Sequence, residues 1–205
     1  MGTAVLLADI LPTSYEVGVL NGQVRPGDTV VVVGAGPIGL AGVLTARLFS
    51  PSHIVAVDKA DSRLQAAKQL GADVVVKVDD DPLDAVRAIT DGLGADVVME
   101  AVGTPAAFEL CTTLIRPGGR VANIGVHGKP ATLHLEDLWI RNVTITTGLV
   151  DTYSTATLLK MVSRGQLNTD QMITHRFPLE EIMRAYDVFS TPAETGALKV
   201  VLSRE

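Results

Sequence analysis

The residues best suited to chemistry are three glycines and one acid: Gly34, Gly36 and Gly39 in the run Gly34-Ala-Gly-Pro-Ile-Gly39, and Asp58, about 24 positions further on. A diphosphate needs main-chain N–H donors at close range, and the amino end of a helix supplies both the donors and a positive dipole. Gly34 would make the tight turn, Gly36 would let the backbone approach phosphate without a Cβ in the way, and Gly39 would let the helix pack on the strand before it. Pro37 and Ile38 open that helix, where the missing proline N–H costs nothing. Asp58 ends the apolar run Ile54-Val-Ala-Val57, a position from which a carboxylate accepts ribose hydroxyls and repels a 2′-phosphate. That chemistry favours NAD over NADP. Arg63 either lies along the adenine side of the same pocket or is a solvated helix residue.

A G-x-G-x-x-G hexapeptide alone is weak, since the same residues make tight turns that bind nothing. Here it follows Thr29-Val-Val-Val-Val33, opens a helical pattern and precedes an acid at the end of a second apolar run, and this context selects a dinucleotide.

The elements that must position these residues are legible as an alternation. Strand-length apolar runs at Thr29–Val33, Ile54–Val57, Val74–Val78, Val97–Met99, Arg120–Ile124 and Val143–Thr146 are separated by helical segments. Apolar strands of this kind suit a sheet covered on both faces, so the chain is predicted to be α/β, a Rossmann doubly wound six-stranded parallel sheet with helices on both faces. Gly71 follows Leu64, Ala67 and Leu70 as a helix C-terminal cap, and Asp79, Asp80 and Asp81 precede Pro82 as helix-start acids rather than a metal site. Ligands of open parallel sheets sit beyond the carboxyl ends of the strands. Val102 and Gly103 after the fourth strand, and Ile124, Gly125 and Val126 after the fifth, are therefore placed to line the nicotinamide, or else are plain loop residues.

Composition removes other classes. The 205 residues carry 17 basic against 23 acidic side chains and no Lys/Arg run that would track a nucleic acid. A single cysteine, Cys111, excludes an internal disulfide framework and thiolate-rich metal sites, reads as a small buried hydrophobe, and points to a reduced cytoplasmic setting. No apolar run approaches membrane-spanning length and residues 1–11 lack a basic leader region, so a soluble, unprocessed protein is expected. His53, His127, His134 and His175 show no helical pairing that would form a ligand set, and surface or loop roles are expected for His53 and His127. Residues 1–22 and 174–205 read as flanks of a domain spanning 23–173; the second flank contains a helical stretch at 179–189 and a short strand at 197–202.

Several landmarks together make the chain resemble the coenzyme-binding portion of the zinc-dependent medium-chain alcohol dehydrogenases: Arg25-Pro-Gly-Asp28, Val33-Gly-Ala-Gly-Pro-Ile-Gly-Leu40, Gly71-Ala72, Arg116-Pro-Gly-Gly-Arg120 and Ile173-Thr-His-Arg-Phe177. The resemblance implies hydride transfer between nicotinamide and an alcohol, aldehyde or ketone. It also implies that the flanks belong with a GroES-like catalytic domain whose cysteine and histidine zinc ligands are absent from this sequence. Ala8-Asp-Ile-Leu-Pro-Thr13 is similar to the segment that gives such enzymes their third zinc ligand, so Asp9 matches a metal position and Thr13 a nicotinamide contact. Spacing alone reads Asp9 as a helix N-cap. One carboxylate makes no catalytic zinc site, so this chain is expected to bind NAD without zinc and without turnover. Lys199 matches a basic residue on the cofactor diphosphate, with a surface charge as its other reading, and Val143–Thr147 would pair across a homodimer or tetramer. The rival readings are an S-adenosylmethionine-dependent methyltransferase, a non-catalytic nucleotide-binding regulatory module, and a zinc-free quinone reductase.

Overall fold

The computed structural model describes residues 2–204. Six parallel strands run β1 (Thr29–Val33), β2 (His53–Asp58), β3 (Val74–Lys77), β4 (Ala95–Glu100), β5 (Ile115–Asn123) and β6 (Thr144–Thr147), in the spatial order β3-β2-β1-β4-β5-β6. The order reverses between β1 and β4, so a crevice opens above the carboxyl ends of those two strands.

Side chains alternate along each strand, and the two sets enter two different cores. Val30, Val32, Ile54, Ala56, Val97 and Met99 face one side, under α2 (Pro37–Ala46) and α3 (Asp61–Leu70). Val31, Val33, Val55, Val57, Val98 and Val121 face the other, under α4 (Pro82–Ile89) and α5 (Pro105–Leu114). Gly71 takes φ +108° and the Ala72 amide reaches back to the Ala67 carbonyl at 2.9 Å, ending α3 as its sequence predicts. Asp81 caps α4 through the Asp84 amide at 3.1 Å. Cys111 is buried in α5, and burial pushes its thiol well above the ordinary range.

The fifth strand begins earlier than expected. It starts at Ile115, and Pro117-Gly118-Gly119 swells out between the pairs Ala95–Ile115 and Val97–Arg120, breaking the apolar pattern that marks a strand. The segment expected as an amino-terminal flank shares a core over residues 6–19. Leu6, Leu11, Val17 and Val19 are buried, and α1 (Ile10–Thr13) and a π-helical stretch, Ser14–Leu20, lie against α2. This second cover explains why α2 is apolar all round and buried from Gly39 to Ala46.

Beyond β6, α6 (Leu135–Leu138) having preceded it, the chain forms α7 (Thr155–Ser163) and a separate two-stranded parallel sheet, β7 (Ile173–Pro178) with β8 (Lys199–Ser203). Between β7 and β8 lie α8 (Ile182–Ser190) and the short α9 (Pro192–Thr195). Among the described residues no helix is long and apolar enough to cross a membrane.

Glu16 joins the amino-terminal segment to the loop after β6. Its carboxylate is buried and accepts the amides of Asp151, Thr152 and Ser154 at 3.0, 3.1 and 2.9 Å and the Ser154 hydroxyl at 2.6 Å. Burial raises its pKa, and the four hydrogen bonds outweigh burial and hold it below the ordinary value. Glu16→Ala, which strands several donors, is expected to cost roughly 2–4 kcal/mol in chemical denaturation. Because the folded pKa is the lower one, the contribution of Glu16 is complete above the ordinary value of 4.5 and is lost as pH falls through the folded value. Glu16→Gln should therefore flatten the acid limb of the stability profile; an unchanged acid limb would contradict this assignment.

Candidate functional site

The glycine loop joins β1 to α2 at the crevice. Gly34 takes φ +95°, and a Cβ there would lie 2.5 Å from Val102 Cγ2. At Gly39 a Cβ would lie 1.7 Å from the Gly34 carbonyl oxygen, so no side chain fits between helix and strand. Gly36 differs from both. It is the residue before α2, has the ordinary φ of −70°, and a Cβ on it would meet nothing within 4 Å. The fold requires glycine at 34 and 39 but not at 36, where the bare backbone instead faces open space. Pro37 starts α2, and Ile38 and Gly39 complete a first turn whose amides have no intrahelical acceptor.

Asp58 ends β2 and is 7% exposed. Its Oδ2 accepts the Ala35 amide of the glycine loop at 2.7 Å and its Oδ1 the Ala60 amide at 2.9 Å, which ties the loop to β2 and leaves further lone pairs open. Arg63, half-buried in α3, brings Nη1 to 3.8 Å from Asp58 Oδ2. Gly34, Gly36, Asp58, Arg63, Val102 and Leu110 are among the residues lining a cleft of about 410 Å³. Val102, expected beside the nicotinamide, thus stands in the same cleft as Asp58. Its amide and that of Gly103 are drawn down onto Glu100, which turns the Val102 side chain over Gly34.

Ile124, Gly125 and Val126 follow β5 on the far side of the switch from Asp58; Ile124 is buried and Val126 exposed. Thr13 ends α1 and donates its hydroxyl to Asp9 Oδ1 at 2.9 Å. Its neighbour Ser14 is buried and donates to the Ile38 carbonyl at 2.6 Å, fixing this segment to the first turn of α2. Lys199 begins β8, in the small second sheet, and is not among the residues lining the cleft.

Residues 37–164 match the family described as zinc-binding dehydrogenase. The chain belongs to that family. Among curated members, an alcohol dehydrogenase of Cupriavidus necator is 34% identical over 203 residues, covering 97% of this chain and 55% of its own. Among solved members, zinc dependent alcohol dehydrogenase 2 from Streptococcus pneumonia, in its apo form, superposes with a TM-score of 0.94 at 43% identity, covering 100% of this chain and 59% of that one. Alcohol dehydrogenase TADH from Thermus sp. ATN1 gives 0.92 at 36% identity, covering 99% and 58%. The chain spans about half the length of the curated relatives it matches, and it corresponds to the coenzyme-binding portion of the family.

The sequence resemblance offers Asp9 to the family's zinc, and among the described residues no group of three metal donors includes it. Asp9 is exposed, sits before α1 and makes no side-chain cap; its carboxylate takes the Thr13 hydroxyl instead. Among the described residues, the one group of three donors near enough to share an ion is His134, Glu136 and Asp137, at the surface and without Asp9. A catalytic zinc site takes three protein ligands and an open position, more than Asp9 alone supplies.

Two residues were missed by sequence reasoning. Glu100 ends the fourth apolar strand yet is wholly buried, and an acid closing a buried strand was the available signal. His127, expected in a surface turn, has a side chain only 20% exposed and lies 3.4 Å from Glu100.

Proposed function

We propose that this chain binds NAD(H) across the β1/β4 switch and presents its nicotinamide for hydride exchange with an alcohol or the corresponding carbonyl compound. The observation that carries the reading is Gly36, a glycine that neither backbone angle nor packing demands, beside helix amides without partners. Main-chain donors at Ile38 and Gly39 hold the diphosphate, assisted by the dipole of α2. Asp58 accepts the adenosine ribose hydroxyls, with Arg63 beside it, and its charge disfavours a 2′-phosphate. Val102 covers the adenosine side of the cleft, while Ile124, Gly125, Val126 and Thr13 border the nicotinamide.

Hydride transfer belongs to the nicotinamide itself, and the protein's share is to orient it and exclude competing reactions. In a zinc-dependent dehydrogenase the metal polarises the substrate oxygen; Asp9 is the residue of this chain offered to that centre, and Lys199 the one offered to the diphosphate. The outer strand β6 offers an unpaired edge at Thr144–Thr147 for a second copy, in a homodimer or tetramer. A buried free thiol at Cys111 and the absence of a basic tract agree with a cytoplasmic protein acting on small molecules rather than nucleic acid or membranes.

Separate calorimetric titrations with NADH and S-adenosylmethionine test the reading. NADH is expected to bind and S-adenosylmethionine not to; selective binding of S-adenosylmethionine would replace the dehydrogenase reading with that of a methyltransferase.

A further inference from the structure

Glu100 closes β4 with its side chain fully buried. A carboxylate at that depth is costly unless its oxygens are satisfied. Oε1 accepts two consecutive amides, Val102 N at 3.0 Å and Gly103 N at 2.9 Å. Oε2 has no full hydrogen bond and lies 3.4 Å from His127 Nε2. The protonation of that nitrogen follows from its other neighbour. Asn123 Nδ2 donates to the Gly125 carbonyl at 3.0 Å, so Asn123 Oδ1 faces His127 Nε2 at 2.9 Å and Nε2 carries the hydrogen. That N–H is spent on Asn123 Oδ1, and Glu100 Oε2 stands beside it at 3.4 Å without a hydrogen bond of its own, while His127 Nδ1 is buried without a partner.

The turns on either side of this group touch main chain to main chain. A Cβ on Gly103 would lie 2.4 Å from the Val126 carbonyl oxygen, and one on Gly125 would lie 2.2 Å from the Gly103 nitrogen. The turn 101–104 carries Val102 into the adenosine side of the cleft, and the turn 124–127 follows β5 on the nicotinamide side. Stability alone is a poor reason for this arrangement, because a buried and incompletely paired charge is often replaced by apolar groups at no cost.

We propose that Glu100 is a positioning residue that locks the two walls of the cofactor cleft together, through Oε1 to the Val102–Gly103 turn and through His127 to the Gly125–Val126 turn. Affinity for the nicotinamide ring depends on that lock. The inference rests on the NAD(H) reading above.

The test compares NADH with ADP-ribose, which lacks only the nicotinamide, in calorimetric titrations of the 205-residue chain. His127→Phe keeps a ring for the edge contact with Phe108 at 6.1 Å but removes the N–H. It is expected to weaken NADH about tenfold, the upper range for loss of one hydrogen bond, and to leave ADP-ribose within about twofold. His127→Gln, whose amide can donate to both oxygens, should restore NADH binding to within about threefold of wild type. Glu100→Gln, which turns an N–H toward an N–H or gives up the Val102 and Gly103 amides, should weaken NADH at least as much as His127→Phe. Should Glu100→Gln fail to fold, the partly exposed His127 pair decides. Equal affinities in His127→Phe and wild type, or losses of NADH and ADP-ribose in the same proportion, would overturn the proposal. A wild-type chain that binds neither nucleotide would instead overturn the cofactor reading itself.

Discussion

Asp58→Ala is expected to lower NAD+ affinity about a hundredfold, the effect of losing roughly 3 kcal/mol of hydrogen bonding to a charged acceptor. Two losses combine. The ribose hydroxyls lose their acceptor, and the Ala35 amide, 2.7 Å from Oδ2, loses the brace that holds the glycine loop to β2. Asp58→Asn separates these, since an amide oxygen can still accept from Ala35 while the charge is gone; its loss should be the smaller. NADP+ affinity should not fall in parallel, because the carboxylate that repels a 2′-phosphate has been removed. Calorimetry with both nucleotides reads the result. An Asp58→Ala chain that binds NAD+ as wild type does would place the ribose contact on another residue.

The second large effect separates folding from binding within a single loop. Gly36→Val should still fold, with at most a modest loss for a branched residue at a helix N-cap, because φ at Gly36 is −70° and nothing lies within 4 Å of the added Cβ, yet NAD+ binding should fall below detection as the side chain fills the diphosphate position. Gly39→Ala should do the reverse in order of cause. Its methyl would sit 1.7 Å from the Gly34 oxygen, so α2 must move off β1 and the chain loses stability before any ligand is added. Thermal melts alongside NADH titrations distinguish the two. A Gly36→Val chain that retains NADH would show that the diphosphate does not lie against this residue.

The contrast between these glycines also shows what sequence can and cannot say. Strand, Gly-rich turn, helix and terminal acid were legible from Thr29 to Asp58 because each is a local pattern: β-branched residues for the strand, proline for the first helical turn, an acid where an apolar run ends. The double winding followed from alternation alone. Partners set by contacts distant in the chain were not legible. Glu100 looks like any strand-ending acid until Val102 and Gly103 fold back on it, and Val102 is turned over Gly34 by the same bonds. The buried role of residues 6–19 was hidden for a similar reason, since an apolar segment before the first strand reads the same whether its partner is α2 or another domain. β7 escaped because Thr174, His175 and Arg176 give it too little apolar content to register as a strand.

Asp9 belongs between these cases. Spacing favours a helix cap, family likeness a metal ligand, and the structure gives its carboxylate to the Thr13 hydroxyl, with the side chain exposed at the edge of the amino-terminal segment. The segment's attachment to α2 through Ser14 and Ile38 sets Thr13 near the first turn of that helix.

The structure of a crystal soaked in NADH is the most direct measurement. The diphosphate should rest on the amides of Ile38 and Gly39 beside Gly36, with the adenosine ribose on Asp58 and the nicotinamide toward Gly125. Coenzyme bound anywhere else, with the crevice between β1 and β4 left empty, would contradict the account.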